Sequence, residues 1–296
     1  MNKLENLPET VAAPLPLRLG RESSMGLLLL QMGKLTPEGA ERALRMQKEK
    51  GMRFGEAAQA LGLVTEADIQ QALARQFDYP YLQSGQGKYS PELLAAYQPF
   101  TPQVEVLRAI RSQLMLRWFA RGQKSLALVS VNSGEGVSFI AANLAVVFSQ
   151  LGEHTLLIDA NLRQPRQQEI FNLKSKQGLS DILVGRAGLD AIAKIDAFVD
   201  LSVLPSGTLP PNPQELLSRA SFVEMNAGLG QKFDVVLYDA SAASVGADAS
   251  AIAACAGGVL LIVRKNQTRL ADIAAAVEKL RAAGAEIVGS LLTDFK

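Results

Sequence analysis

The sequence predicts an α/β chain: a doubly wound, mostly parallel sheet domain preceded by a small all-α module of four helices. Three observations lead there. After Lys124, six short apolar runs alternate with helical stretches, the pattern of parallel strands covered on both faces. Near the N-terminus a unit of 24 residues occurs twice, and repeats of that length are single supersecondary units. Hydrophobic residues make up 48% of the 296 residues and charged residues 20%, which is apolar material for two packed cores rather than a disordered chain.

Residues 1–22 carry Pro8, Pro14 and Pro16 among polar residues and read as a tail. Residues 23–82 hold the repeat. Ser24–Gln47 lies over Arg53–Gln76, so that Gly26 meets Gly55, Gly33 meets Gly62, Thr36 meets Thr65, Leu44 meets Leu73 and Gln47 meets Gln76, every pair 29 apart. In each copy an apolar helix stops at a glycine (Gly33, Gly62), the residue suited to a left-handed helix end. A threonine (Thr36, Thr65) then caps a second helix, with Pro37 at its first position in copy one. Residues 83–103 read as a linker, QSGQG at Gln83–Gly87 followed by one short helix over Pro91–Tyr97. Residues 104–296 form the sheet domain. Val104, Leu107, Ile110, Leu114 and Leu116 have helical spacing. Strands follow at Ser125–Val131, His154–Asp159, Leu201–Leu204, Asp234–Asp239, Gly257–Arg264 and Glu286–Leu292.

Composition excludes several functions. Lys+Arg 30 against Asp+Glu 29 leaves a charge of +1, too little for nucleic-acid binding through bulk charge. One cysteine, Cys255, rules out an internal disulfide, and one histidine, His154, rules out a His-rich metal site. No run reaches the roughly 18 uninterrupted apolar residues of a membrane helix, and no signal-peptide pattern opens the chain. The expectation is a soluble, cytoplasmic protein without a membrane segment of its own.

The strand Ser125–Val131 runs into Asn132-Ser133-Gly134-Glu135-Gly136-Val137-Ser138 and then a helix from about Phe139. Strand, glycine loop, helix is the context of a phosphate-binding loop: glycines let main-chain N–H groups turn inward, and the helix N-terminus adds partial positive charge. Ser138 stands where a hydroxyl would join Mg²⁺. Val137 stands where the loop's lysine belongs. Loss of such a charge-assisted bond costs about 1.5–3 kcal/mol of binding, and phosphoryl transfer loses more. The competing reading is a plain strand-to-helix turn. Asp159 and Asp239 end two other strands, on the sheet edge where doubly wound folds bind ligands; one carboxylate there can orient Mg²⁺ and the other accept a proton.

These segments resemble the bacterial tyrosine kinase (BY-kinase) family, relatives of the deviant-Walker partition ATPases, and are most similar to its EpsG-type chain-length-determinant kinases. The resemblance rests on SGEGVS before Asn143-Leu144-Ala145, on LLIDANLRQP at Leu156–Pro165, on YDASA at Tyr238–Ala242, on Asp248, on PSGTLPPNPQELL at Pro205–Leu217, and on Glu105-x-x-Arg108-x-x-Arg111. It implies ATP or ADP with Mg²⁺ held by Gly134, Glu135, Gly136, Val137, Ser138, Phe139 and Arg264. Asp159 and Asp239 would be catalytic, with Ser138, Asp159 and Asp239 around the metal. Glu105, Arg108 and Arg111 would form a homo-oligomeric ring, and the partner would be an inner-membrane, Wzz-like polysaccharide chain-length determinant, recruiting the chain to the inner face of the membrane.

The sequence departs from that family at Val137, at Asn161 where a second aspartate is usual, and at Ala240, Ser241 and Ala242. Its five tyrosines are Tyr79, Tyr81, Tyr89, Tyr97 and Tyr238, so the C-terminus has no acceptor cluster. The repeat resembles the N-terminal domain of type II secretion and type IV pilus ATPases, as in MshE, a module that can bind cyclic di-GMP. Arg53, Gly55, Gly62 and Gln76 match it in copy two and Gly26, Gly33 and Gln47 in copy one, with Phe54 a further candidate beside the ligand; Ser24 replaces an arginine, with Arg21 nearby. A helical docking module is the alternative. The expected function is a regulator of exopolysaccharide synthesis and export with weak or absent kinase activity. An active tyrosine kinase or ATPase using Arg163 or Arg166 as its cation, or a cyclic-di-GMP receptor on a P-loop scaffold, are the other readings.

Overall fold

The computed structural model describes residues 25–76, 81–82 and 88–294. The expected tail, Arg21, Ser24, Tyr79 and the QSGQG segment lie outside the described residues. The chain divides into two compact units, Met1–Tyr79 and Pro80–Lys296.

The first unit contains α1 (Met25–Gln31), α2 (Pro37–Lys50), α3 (Phe54–Ala60) and α4 (Glu66–Gln76). Gly33 and Gly62, after α1 and α3, both have φ +66°, a conformation that glycine adopts without a Cβ penalty. Thr36 Oγ1 accepts from Gly39 N at 3.1 Å. Thr65 Oγ1 accepts from Asp68 N at 3.2 Å while the Asp68 carboxylate takes the Thr65 N–H at 3.0 Å, a reciprocal cap. Helices pair across the repeat, α1 with α4 and α2 with α3. Leu29, Ala43, Ala58 and Ala72 are buried between them, so neither copy buries its apolar face alone.

The second unit runs through α5 (Leu94–Tyr97), α6 (Pro102–Arg117), β1 (Ser125–Ser130), α7 (Val137–Ser149), β2 (Thr155–Asp159), α8 (Gln167–Ile170) and α9 (Leu179–Leu183). It continues with β3 (Ala193–Lys194), β4 (Leu201–Leu204), α10 (Pro213–Leu217), α11 (Ala220–Gly230), β5 (Val235–Asp239), α12 (Asp248–Ala256), β6 (Gly258–Arg264), α13 (Leu270–Ala282) and β7 (Glu286–Thr293). The sheet order is β3-β4-β2-β5-β1-β6-β7, parallel except where β3 pairs antiparallel with β4. β1, β2 and β5 are buried along their whole length, which is why they read as continuous apolar runs rather than alternating ones. Leu107, Leu144 and Phe148 pack one face; Phe222, Ile252 and Leu280 pack the other. The two-residue β3 is too short for a periodic signal and was not expected.

The linker expected over 83–103 is corrected from Lys88 onward. Leu93, Ala95 and Ala96 are fully buried in the same apolar cluster as α7. Ala95 N donates to Asn143 Oδ1 at 2.8 Å, and Asn143 Nδ2 donates to the Glu92 carbonyl at 2.9 Å. Residues 88–101 are therefore a strap laid on α7, held because a buried asparagine satisfies main-chain groups that burial would otherwise leave unpaired.

Candidate active site

Three strand ends build the site. β1 leads into the glycine loop, where Gly134 and Gly136 have φ +82° and +89°. α7 then begins at Val137, two residues before the expected start. β2 and β5 are parallel neighbours in a register that sets Asp159 directly beside Asp239. Both carboxylates thus meet at the C-terminal edge, below the loop.

Their partners are specific. Asp159 Oδ2 accepts the main-chain N–H groups of Arg166 and Gln167 at 2.9 and 2.8 Å. Asp239 Oδ2 accepts Gln167 Nε2 at 2.7 Å, and the Ser138 hydroxyl also bonds Asp239. Gln167 Nε2 additionally donates to the Ser138 carbonyl at 3.0 Å. Oδ1 of each aspartate is buried without a hydrogen-bond partner, an expensive state unless something else satisfies it. Burial raises Asp159 well above the ordinary carboxyl range and the charge of Asp239 raises it further. Burial also raises Asp239, to about 6, against the hydrogen bonds from Gln167 and Ser138 and the charge of Arg166. Burial side by side thus holds the pair's protons to higher pH than ordinary carboxyls.

A cleft above the pair is lined by the loop from Ser133 to Phe139 and, opposite, by Asn161, Gln164 and Arg166. Val137 is among the residues that line the cleft, and its side chain is buried in the α7 cluster. Phe139 packs partly on the same cluster. Asn161 closes a local turn, its Oδ1 accepting Gln164 N at 3.1 Å. Arg264, at the end of β6, reaches the Gly134 carbonyl at 3.5 Å through Nη1.

Several of the expected residues have partners inside the fold. The Glu135 carboxylate is spent bracing the loop: it accepts Val131 N at 3.0 Å and the Thr268 hydroxyl at 2.5 Å. Arg163 grips the buried Asp248 through Nε and Nη2, at 2.6 and 3.1 Å, and does not line the cleft. Arg111 donates to the Val147 carbonyl at 2.7 Å, an internal brace between α6 and α7. Arg108 pairs with the exposed Glu105 one turn away. In the helical unit, Gly26 is filled by a neighbour rather than left open: a Cβ there would lie 3.0 Å from the Phe54 ring. A Cβ on Gly55 would meet Ile69 at 3.3 Å. Arg53 is exposed at the start of α3, Gln47 is half-buried on α2, and Gln76 is exposed at the end of α4. Sequence reasoning missed Gln167 and Thr268, since lone polar residues outside any motif give no signal.

A glycine loop between the first strand and its helix, over paired strand-end aspartates, defines a P-loop NTPase-like α/β domain. Residues 123–278 match the family model for cellulose biosynthesis protein BcsQ. The chain is 33% identical over 204 residues to tyrosine-protein kinase YwqD of Bacillus subtilis, covering 69% of this chain and 86% of that one. It is 31% identical to tyrosine-protein kinase wzc of Salmonella typhi, covering 69% of this chain but 28% of that relative. The kinase domain of Escherichia coli tyrosine kinase ETK superposes with a TM-score of 0.67 at 25% identity, over 74% of this chain and 89% of that one. The chain belongs to the bacterial tyrosine kinase family.

Proposed function

We propose that the sheet unit is a nucleotide-binding regulator of exopolysaccharide synthesis and export, built as a tyrosine autokinase whose phosphoryl transfer is weak or absent. The observation that carries this is the pair of buried, unpartnered oxygens on Asp159 and Asp239, beside the Ser138 hydroxyl. That donor set of hard oxygens fits Mg²⁺: Ser138 and the aspartates would hold it, directly or through water, and it would neutralise phosphate charge. The N–H groups of the loop and of the first turn of α7 would cradle the phosphates of ATP or ADP. Asp159 and Asp239 would hold or accept a proton. Val137 offers no charge to a reacting phosphoryl group, which argues for binding without efficient transfer.

The match to a cellulose biosynthesis family model supports the polysaccharide setting, and an inner-membrane chain-length determinant is the partner that the sequence motifs imply. Among the described residues no helix is long and apolar enough to cross a membrane, so attachment to the membrane's inner face would come through that partner. We read the helical unit as a docking module, because Phe54 and Ile69 already occupy the spaces beside Gly26 and Gly55. Cyclic di-GMP binding that disappears in Arg53→Ala would overturn that reading.

Thermal unfolding with and without Mg·ATP tests the cleft. At a hundred times its dissociation constant, a ligand stabilises by about 2.7 kcal/mol. Wild type is expected to shift, and Val137→Lys to shift at lower nucleotide concentration. Incorporation of labelled phosphate at or near zero for wild type, rising in Val137→Lys, would match a lesion confined to transfer. No shift in either protein would remove the nucleotide reading.

A further inference from the structure

The cleft that lacks its loop lysine contains another cation. Among the described residues that line it, Arg166 alone is positively charged. Its main-chain N–H is bonded to Asp159 Oδ2 at 2.9 Å, which registers the residue against the aspartate pair, and its charge already reaches Asp239. The guanidinium itself is drawn aside. Nη2 donates to Glu92 Oε1 at 2.7 Å, and Nε lies 3.6 Å from Glu169 Oε2.

Glu92 is not a freely moving surface acid. Its carbonyl accepts Asn143 Nδ2 at 2.9 Å and its N–H donates to Ser90 Oγ at 3.2 Å. Asn143 is fully buried in the helix that begins at Val137. The strap is therefore anchored to the phosphate-loop helix at the residue whose carboxylate holds Arg166. The Arg166 and Glu92 side chains are 46% and 39% exposed, so an entering anion competes for the guanidinium in water and need not open a buried pair.

We propose that Arg166 is the phosphate-binding cation of this cleft, in place of the lysine missing at 137, and that Glu92 competes with phosphate for its guanidinium and so sets nucleotide affinity. The proposal rests on the nucleotide reading of the cleft. A guanidinium suits the role because its fork binds two phosphate oxygens as readily as two carboxylate oxygens. Displacement by phosphate returns the Glu92 carboxylate, 39% exposed, to water rather than to a buried site. Glu92 is a positioning residue, acting through Arg166.

The test is binding of a fluorescent ATP analogue, with inorganic tripolyphosphate as competitor, to the full chain. Wild type is compared with Arg166→Gln, Arg166→Lys, Glu92→Gln, the double variant Glu92→Gln/Arg166→Gln, and Val137→Lys. Unfolding curves check that each variant is folded. Arg166→Gln should weaken binding about ten- to a hundredfold, the loss of one charge-assisted contact, and Arg166→Lys should fall between it and wild type. Glu92→Gln should tighten binding roughly two- to fivefold, what release of an exposed ion pair supplies, and that gain should vanish in the double variant. Wild-type affinity in Arg166→Gln, or a Glu92→Gln gain that persists without Arg166, overturns the proposal and leaves the nucleotide site standing. Failure of wild type, Glu92→Gln and Val137→Lys alike to bind removes the site and the proposal together.

Discussion

Asp159 and Asp239 are ladder partners on adjacent strands, so the fold buries two carboxyls side by side. Both are raised chiefly by burial, and the native state binds protons more tightly there than the unfolded chain. Stability contributed by the pair is therefore greatest at low pH. It declines as pH rises from about 4 through the folded-state values. For Asp239 alone, a rise from 3.8 to about 6 corresponds to roughly 3 kcal/mol of stability lost by neutral pH. Asp239→Asn keeps an oxygen for Gln167 and removes the charge. It should unfold at higher temperature than wild type at pH 8, by about 1–3 kcal/mol of stability. Its stability should also vary less between pH 4 and 7, and the Mg·ATP shift should be lost. Equal stability of the two proteins at pH 8 would show that the charges are not desolvated.

At the scale of elements, one side chain makes two of the hydrogen bonds that hold the strap of residues 88–101 on α7. Asn143 bonds Ala95 N and the Glu92 carbonyl across the interface and the Phe139 carbonyl within its own helix. Asn143→Ala would strand one buried donor and weaken an acceptor, each worth about 1–3 kcal/mol. A loss of roughly 3 kcal/mol in denaturant unfolding is expected, with the Ala95 amide exchanging hydrogen much faster than the amides of β1. Unchanged protection at Ala95 would mean that apolar contacts of Leu93 and Ala96 hold the strap unaided. The same logic explains the loop brace. Arg264 N donates to Thr268 Oγ1 at 3.0 Å, and that hydroxyl donates in turn to Glu135, so the β6–α13 connection fixes the loop's curvature.

For the whole molecule, the division into two units with separate apolar clusters predicts calorimetric behaviour beyond a single two-state transition. Heating should resolve a helical-unit transition and a sheet-unit transition. Mg·ATP should move the sheet-unit transition and leave the other in place. A single transition that moves as one would mean that the units unfold together. The site is likewise a property of the whole sheet unit, since the ends of β1, β2 and β5, separated by helices in the chain, each supply part of it.

Much of this was legible without a structure, for a local reason. The glycine loop, the caps at Thr36 and Thr65 and the buried runs of β1, β2 and β5 are set by residues close together in the chain, where spacing and conformational preference leave a direct imprint. The two aspartates were legible because each ends an apolar run, and strand ends in a parallel sheet share one edge. Gln167, Thr268 and Glu92 were not legible, being single polar residues whose meaning comes from partners 72, 133 and 74 positions away. Nor did the sequence disclose that Glu135, Arg111 and Arg163 are already committed to internal partners, or that residues 88–101 are packed. Chain-local chemistry declares which residue types are present and how they repeat; long-range packing decides which of their charges and hydrogen bonds remain for a ligand, because each buried group must first be satisfied inside the fold.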